Sequence, residues 1–109
     1  MAWVIKDGKV IASAEVARGL KSKTVGLLGK KDFEGAMIFP DISSVHSFGM
    51  RFAIDVAFLD KHYVVIDVVT LKPWRIALPR VRSKFVLEAK EGAFERWQLK
   101  KGDVLEIKF

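Results

Sequence analysis

Cysteine is absent from this chain of 109 residues, and so is asparagine; Gln98 is the one glutamine. The missing cysteines exclude disulfides, thiolate nucleophiles and thiolate-ligated metals, and leave the redox compartment open. The scarcity of thermolabile amides beside 29% charged residues points to a thermophile. Long apolar runs are also lacking, and no stretch reaches the roughly 18 to 20 residues that a membrane span requires. The N-terminal Met1-Ala2-Trp3-Val4-Ile5 run is broken at once by Lys6 and Asp7, so it is expected not to act as a signal peptide. A soluble, cytoplasmic protein without membrane contact is the expectation.

What is present is an ordinary globular composition, 50% hydrophobic, in a length that suits one domain spanning 1–109. The net charge is +6, and the basic residues are clustered. Between Val16 and Lys31 stand Arg18, Lys21, Lys23, Lys30 and Lys31 with no acid. Between Lys72 and Lys84 stand Lys72, Arg75, Arg80, Arg82 and Lys84, again with no acid. Two such segments on one face would attract anions. A solvated basic surface is favoured over a nucleic-acid interface, because no standard nucleic-acid motif accompanies them.

Turn signals divide the chain into short elements. Trp3 to Lys6 and Lys9 to Ser13 form a hairpin around Asp7-Gly8. Leu20, Thr24, Leu27 and Leu28 recur at helical spacing, and Gly29 is placed to end that helix. Ala36 to Phe39 is a strand stopped by Pro40, and Asp41 to Ser44 a loop. His46 to Phe52, Ile54 to Leu59 and Tyr63 to Leu71 read as extended, the last two joined at Asp60-Lys61-His62. Lys72 to Ser83, with Pro73 and Pro79, reads as a long, partly rigid loop. Lys84 to Ala89 is a strand, Gly92 to Gln98 a helical turn or two, and Val104 to Phe109 a last strand. The sum is a mostly β fold, a small closed or partly open β-barrel with two short helices.

The order of particular residues carries a resemblance. Gly26-Leu27-Leu28 is followed by Gly35-Ala36-Met37-Ile38-Phe39-Pro40. Next come the fifteen residues from His46-Ser47-Phe48-Gly49-Met50 to Leu59-Asp60, then Leu71-Lys72-Pro73-Trp74. Val86-Leu87-Glu88-Ala89 leads on to Leu99-Lys100-Lys101-Gly102-Asp103. In this the chain resembles the domain of unknown function 192 family of bacteria and archaea, over nearly its whole length. The resemblance implies a compact β-rich fold and no known reaction, so it assigns no catalytic residue. Many members carry a longer central motif with Lys-Asn-Thr after the Met; here Arg51-Phe52-Ala53 stands there, and the segment is shorter. Many members are also secreted or lipid-anchored.

The central motif sets polar residues among bulky apolar ones, and such residues need partners or a task. In an extended segment His46 and Ser47 point apart, which argues against a nucleophile–base pair. A histidine fixed by a hydrogen bond is favoured for His46 over a ligand or general base. Asp55, inside an apolar strand, calls for a partner, with Arg51 or His46 the nearest candidates. No paired-ligand spacing for a metal is present, and no cofactor is implied. Trp74, flanked by Lys72 and Arg75 on a Pro-stiffened loop, suits recognition of an anionic, partly apolar partner. The candidate binding residues are thus His46, Arg51, Asp55, Lys72, Trp74 and Arg75, with no catalytic residue proposed. Three functions compete: a module binding a small anionic ligand or a protein in a cleft near His46, Arg51 and Trp74, an enzyme using His46 and Asp55 as acid and base, and a weak, non-specific nucleic-acid-binding barrel. The first is preferred because a nucleophile, metal spacing and a Gly-rich phosphate loop are all missing.

Overall fold

The computed structural model describes residues 1–17, 35–47 and 51–109. Nine strands and one short helix occur among them: β1 (Ala2–Lys6), β2 (Lys9–Val16), β3 (Ala36–Pro40), β4 (Val45–His46), β5 (Ile54–Leu59), β6 (Val65–Leu71), β7 (Ile76–Ala77), β8 (Phe85–Lys90), α1 (Ala93–Trp97) and β9 (Glu106–Lys108). The helix expected around Leu20 to Leu28 lies outside the described residues.

Seven strands form one sheet in the order β6-β5-β8-β3-β2-β1-β9, and β4 pairs with β7 in a separate two-stranded ribbon. All neighbours in the large sheet are antiparallel except β2 and β3. The first hairpin turns where the sequence predicts, and both Asp7 (φ 52°) and Gly8 (φ 78°) take the left-handed conformation that a tight two-residue turn requires. Gly35, just before β3, also has positive φ, and a Cβ there would stand 2.7 Å from the Ser13 carbonyl oxygen of β2. Only glycine allows that approach.

The sheet curls into a half-barrel. Its outermost strands meet at one end, where Val65 donates to the Asp103 carbonyl at 2.8 Å, Gly102 to Val65 at 2.8 Å and Leu105 to Tyr63 at 3.0 Å. Two apolar clusters occupy the two faces. The inner one is built from small residues that suit a tight curl, Ala2, Ala12, Ala14, Ala36, Ala57 and Ala89, around Val4, Ile38, Leu59, Leu87 and Phe94. The outer one gathers Met37, Phe39, Ile54, Val56, Phe58, Leu71 and Val86, and the β4–β7 ribbon covers it with Val45 and Ala77. Strand β5 lies between the clusters, so all six of its residues are buried. This explains why its sequence reads as a continuous apolar run instead of alternating.

Of the extended run expected from His46 to Phe52, residues 48–50 lie outside the described residues; β4 ends at His46, and Arg51 and Phe52 form a bend leading into β5. The Lys72 to Ser83 loop contains a strand, β7, that its low periodicity conceals. It is only two residues long, and its partner among the described residues, β4, is equally short.

Candidate binding surface

Ser47 organises the central motif. It is fully buried, and its hydroxyl bridges the turn between β6 and β7. The Ser47 Oγ accepts from the Arg75 N–H at 2.9 Å and donates to the Lys72 carbonyl. The backbone adds two bonds, Ser47 N to Arg75 O at 2.8 Å and Trp74 N to Ser47 O at 3.0 Å. The central motif and the Lys72–Arg75 turn are therefore joined directly. Sequence reasoning set Ser47 aside as a nucleophile and did not anticipate this clasp; its place between apolar residues was the available signal.

Pro73 occupies the second position of that turn and Trp74 the third, with φ 63°. This is the pattern of a type II turn, whose third position favours glycine. A bulky residue there is strained by about 1 to 2 kcal/mol. Trp74 is nevertheless 63% exposed. Beyond it the chain alternates. Ala77 is buried, whereas Ile76 and Leu78 face outward, and Val81 is fully exposed. Lys72, Arg75 and Arg82 are exposed among them. His46, opposite Ile76 in the ribbon, is exposed as well. The result is a ridge of exposed apolar side chains interleaved with cations.

The base of the ridge is anchored. Arg80 forms an ion pair with Asp67 at 2.9 Å, and its guanidinium lies 4.4 Å from the centre of the Phe58 ring. The Arg80 hydrogen bond holds the Asp67 carboxyl below its usual range. Arg80 N–H donates to Ser43 O at 3.1 Å, and the buried Ser83 hydroxyl to Ile42 O at 3.1 Å. Arg80 is thereby committed to the fold, which removes one cation from the basic segment.

Asp55 is buried as expected, but its partners differ from those predicted. The carboxylate accepts from the backbone N–H groups of Gly92 and Phe94, at 3.0 and 3.1 Å, and from the Thr70 hydroxyl at 3.0 Å. Neither Arg51 nor His46 is among its partners. The reason is strand alternation: Ile54 and Val56 face the outer cluster, so Asp55 faces the inner side, where α1 packs. His46 belongs to the ribbon over the outer cluster. The sheet therefore separates the acid and the base that the enzymatic alternative paired. Arg51 is exposed in the bend before β5.

Glu88 is a feature that the sequence reading passed over. It lies in β8 between Met37 and Val56 of the neighbouring strands, on the outer face, and is 6% exposed. Burial pushes its carboxyl up to about 8. A Glu inside the Phe85–Lys90 run was the available sign.

Two cavities among the described residues lie away from Trp74. One, of about 490 Å³, opens between β2, the end of β8 and α1. The other, of about 380 Å³, is bordered by Asp60, Lys61, His62, Arg82 and Lys84. No group of three or more His, Asp or Glu able to hold a metal occurs among the described residues, and no helix there is long and apolar enough to cross a membrane.

A family model described as uncharacterized ACR, domain of unknown function 192, matches residues 2–107. The chain belongs to this family. A UPF0127 protein of Pyrococcus horikoshii is 42% identical over 64 residues, covering 59% of this chain and 56% of that protein. A UPF0127 protein of Thermococcus sibiricus is 29% identical over 91 residues, covering 70% of this chain and 59% of that protein. The chain thus spans little more than half the length of these curated relatives. Their genera are in keeping with the thermophile-like composition. Among solved structures, a protein of unknown function from Novosphingobium aromaticivorans superposes with TM-score 0.75 at 25% identity, over 85% of this chain and 73% of that one. A candidate transcription regulator from Sinorhizobium meliloti superposes with TM-score 0.80 at 19% identity, over 96% and 90%. The latter shares the fold. The family relatives carry no assigned activity.

Proposed function

We propose that this protein is a binding module that docks an acidic, partly apolar segment of a partner protein on the ridge formed by His46 and residues 72–82. One observation carries the reading: Trp74 is mostly exposed yet held in a strained left-handed turn by the buried Ser47 clasp. A turn that served only to connect β6 and β7 would be more stable with glycine at that position. Strain retained beneath an exposed aromatic is characteristic of recognition sites. Ile76, Leu78 and Val81 supply further apolar contacts, and Lys72, Arg75 and Arg82 supply positive charge. A ridge fits a peptide or protein surface better than an enclosed small molecule, and aromatic residues with arginine dominate such interfaces.

The test is titration with short synthetic peptides that combine Asp or Glu with Leu and Phe, against neutral and basic versions of them. The acidic apolar peptides should bind, weaken with salt, and lose their affinity in Trp74→Gly. That variant should itself melt at a higher temperature, because glycine relieves the turn. Failure of every acidic peptide to bind would overturn the reading. So would binding that survives Trp74→Gly, or duplex DNA outcompeting the peptides.

A further inference from the structure

The strand order leaves β9 at one end of the sheet, with β1 on one side of it. Its other edge is tied to the chain before β6 through Leu105, whose N–H donates to the Tyr63 carbonyl at 3.0 Å. Past that bond the chain opposite is Lys61 and His62, which turn away toward β5. Among the described residues, no strand runs beside Glu106–Lys108 on that side. Alternate residues of a strand direct their backbone groups to the same edge. Leu105 donates away from β1, so the Ile107 N–H and carbonyl face away from β1 as well, toward this open edge. The side chains keep the same alternation: Leu105 and Ile107 enter the inner cluster, and Glu106 and Lys108 are exposed on the outer face.

An edge of this kind invites another strand unless it is guarded by a bulge, a proline or repelling charges. The β1–β9 register runs without a bulge, and Glu106–Lys108 contains no proline. Its two charges have opposite sign and stand on one face, 3.7 Å apart. That pattern complements itself in one register. If two β9 edges meet antiparallel with Ile107 opposite Ile107, those two residues exchange both backbone bonds, and each Glu106 stands opposite a Lys108. The Glu–Lys positions are then non-hydrogen-bonded pairs, where side chains approach most closely. An axis through position 106 would set Glu against Glu, and one through position 108 Lys against Lys. Trp3, opposite Lys108 in β1, is exposed, as are Val104 and Phe109, so the border of the edge also offers apolar surface for a second copy to bury.

We propose that β9 is the interface of a symmetric dimer, in which two copies of this chain join their β9 edges antiparallel about a twofold axis at Ile107. The interface lies apart from the ridge and does not depend on the function proposed for it.

So short an interface makes a weak dimer, with a Kd on the order of 100 µM. Sedimentation equilibrium of the whole chain from micromolar to millimolar concentration should show a monomer–dimer equilibrium. Glu106→Lys and Lys108→Glu should each weaken association about tenfold, because the twofold axis turns one substitution into two like-charge pairs. The double variant Glu106→Lys/Lys108→Glu should recover it. Melting of each variant at low micromolar concentration separates a lost contact from a lost fold. Hydrogen exchange of the Ile107 amide should slow as concentration rises, and Trp74→Gly should leave association unchanged. The proposal falls if the chain stays monomeric at millimolar concentration, if the folded double variant does not recover association, or if a dimer forms with the Ile107 amide still open to exchange. Loss of the dimer in a folded Trp74→Gly would also overturn it, by placing the contact at the ridge.

Discussion

Single residues in this protein hold more of the structure than their number suggests. Ser47 completes bonds to both ends of the Lys72–Arg75 turn from a fully buried position. In Ser47→Ala the Arg75 N–H loses its side-chain acceptor, a change worth about 1 to 3 kcal/mol. Denaturant unfolding should show that loss, and Trp74 fluorescence should shift as the turn loosens. Glu88 makes a different prediction. Its folded form keeps a proton that the unfolded chain releases near pH 4.5, because burial raises the carboxyl to about 8. The associated stability is complete below pH 4.5, declines as pH rises toward 8, and is gone above it. Each unit of that window corresponds to about 1.4 kcal/mol, so the decline should amount to a few kcal/mol. Glu88→Gln removes the titrating group, so its stability should vary far less between pH 5 and 9, and above pH 8 it should exceed that of the natural sequence. A pH series of urea melts for both proteins decides this, and parallel profiles would show that Glu88 is solvated.

At the scale of elements, α1 depends on a residue from β5. Asp55→Ala leaves the Gly92 and Phe94 N–H groups without their acceptor and should cost about 3 kcal/mol. Hydrogen exchange should report it first at residues 92–98. Asp60→Ala should cost less, about 1 kcal/mol, although Asp60 is not idle. It accepts from the His62 and Val64 N–H groups at 2.8 and 3.0 Å in the β5–β6 turn. Burial works against its charge, yet these bonds leave its carboxyl below the usual value. The hairpins were legible in the sequence because their turns carry local chemistry, Asp7-Gly8 in one and Asp60 in the other. β7 was not legible, since a two-residue strand has no period to read. Its existence follows from β4, thirty residues earlier.

For the whole molecule, the C-terminal strand is the decisive element. β9 pairs with β1 along Trp3 to Ile5, and Leu105 and Ile107 enter the inner cluster. The segment before it joins the start of β6 through Asp103 and Leu105. Removing residues 104–109 deletes the pairing with β1 and the Leu105 bond to Tyr63, leaving only the bonds of Gly102 and Asp103 to Val65, and exposes the small-residue interior of the half-barrel. The truncated chain should lose its cooperative thermal transition, whereas a melt at similar temperature would show that the half-barrel closes without β9.

The sequence by itself determined the β-rich class, most strand positions and the burial of Asp55. These follow from local signals: turn residues, apolar runs, and a carboxylate set where water cannot reach it. It also pointed to the segments that carry His46 and Trp74, through the polar and aromatic residues they mix. Only the tertiary structure decided partners. Which way Asp55 points depends on the pleat of β5 and on a helix that packs almost forty residues later. Whether Trp74 is core or surface depends on the clasp formed by Ser47, and whether Arg80 is free depends on Asp67. Pairing of this kind is set by register and sheet curvature, which arise from contacts distant in the chain and leave no periodicity in the sequence around each residue.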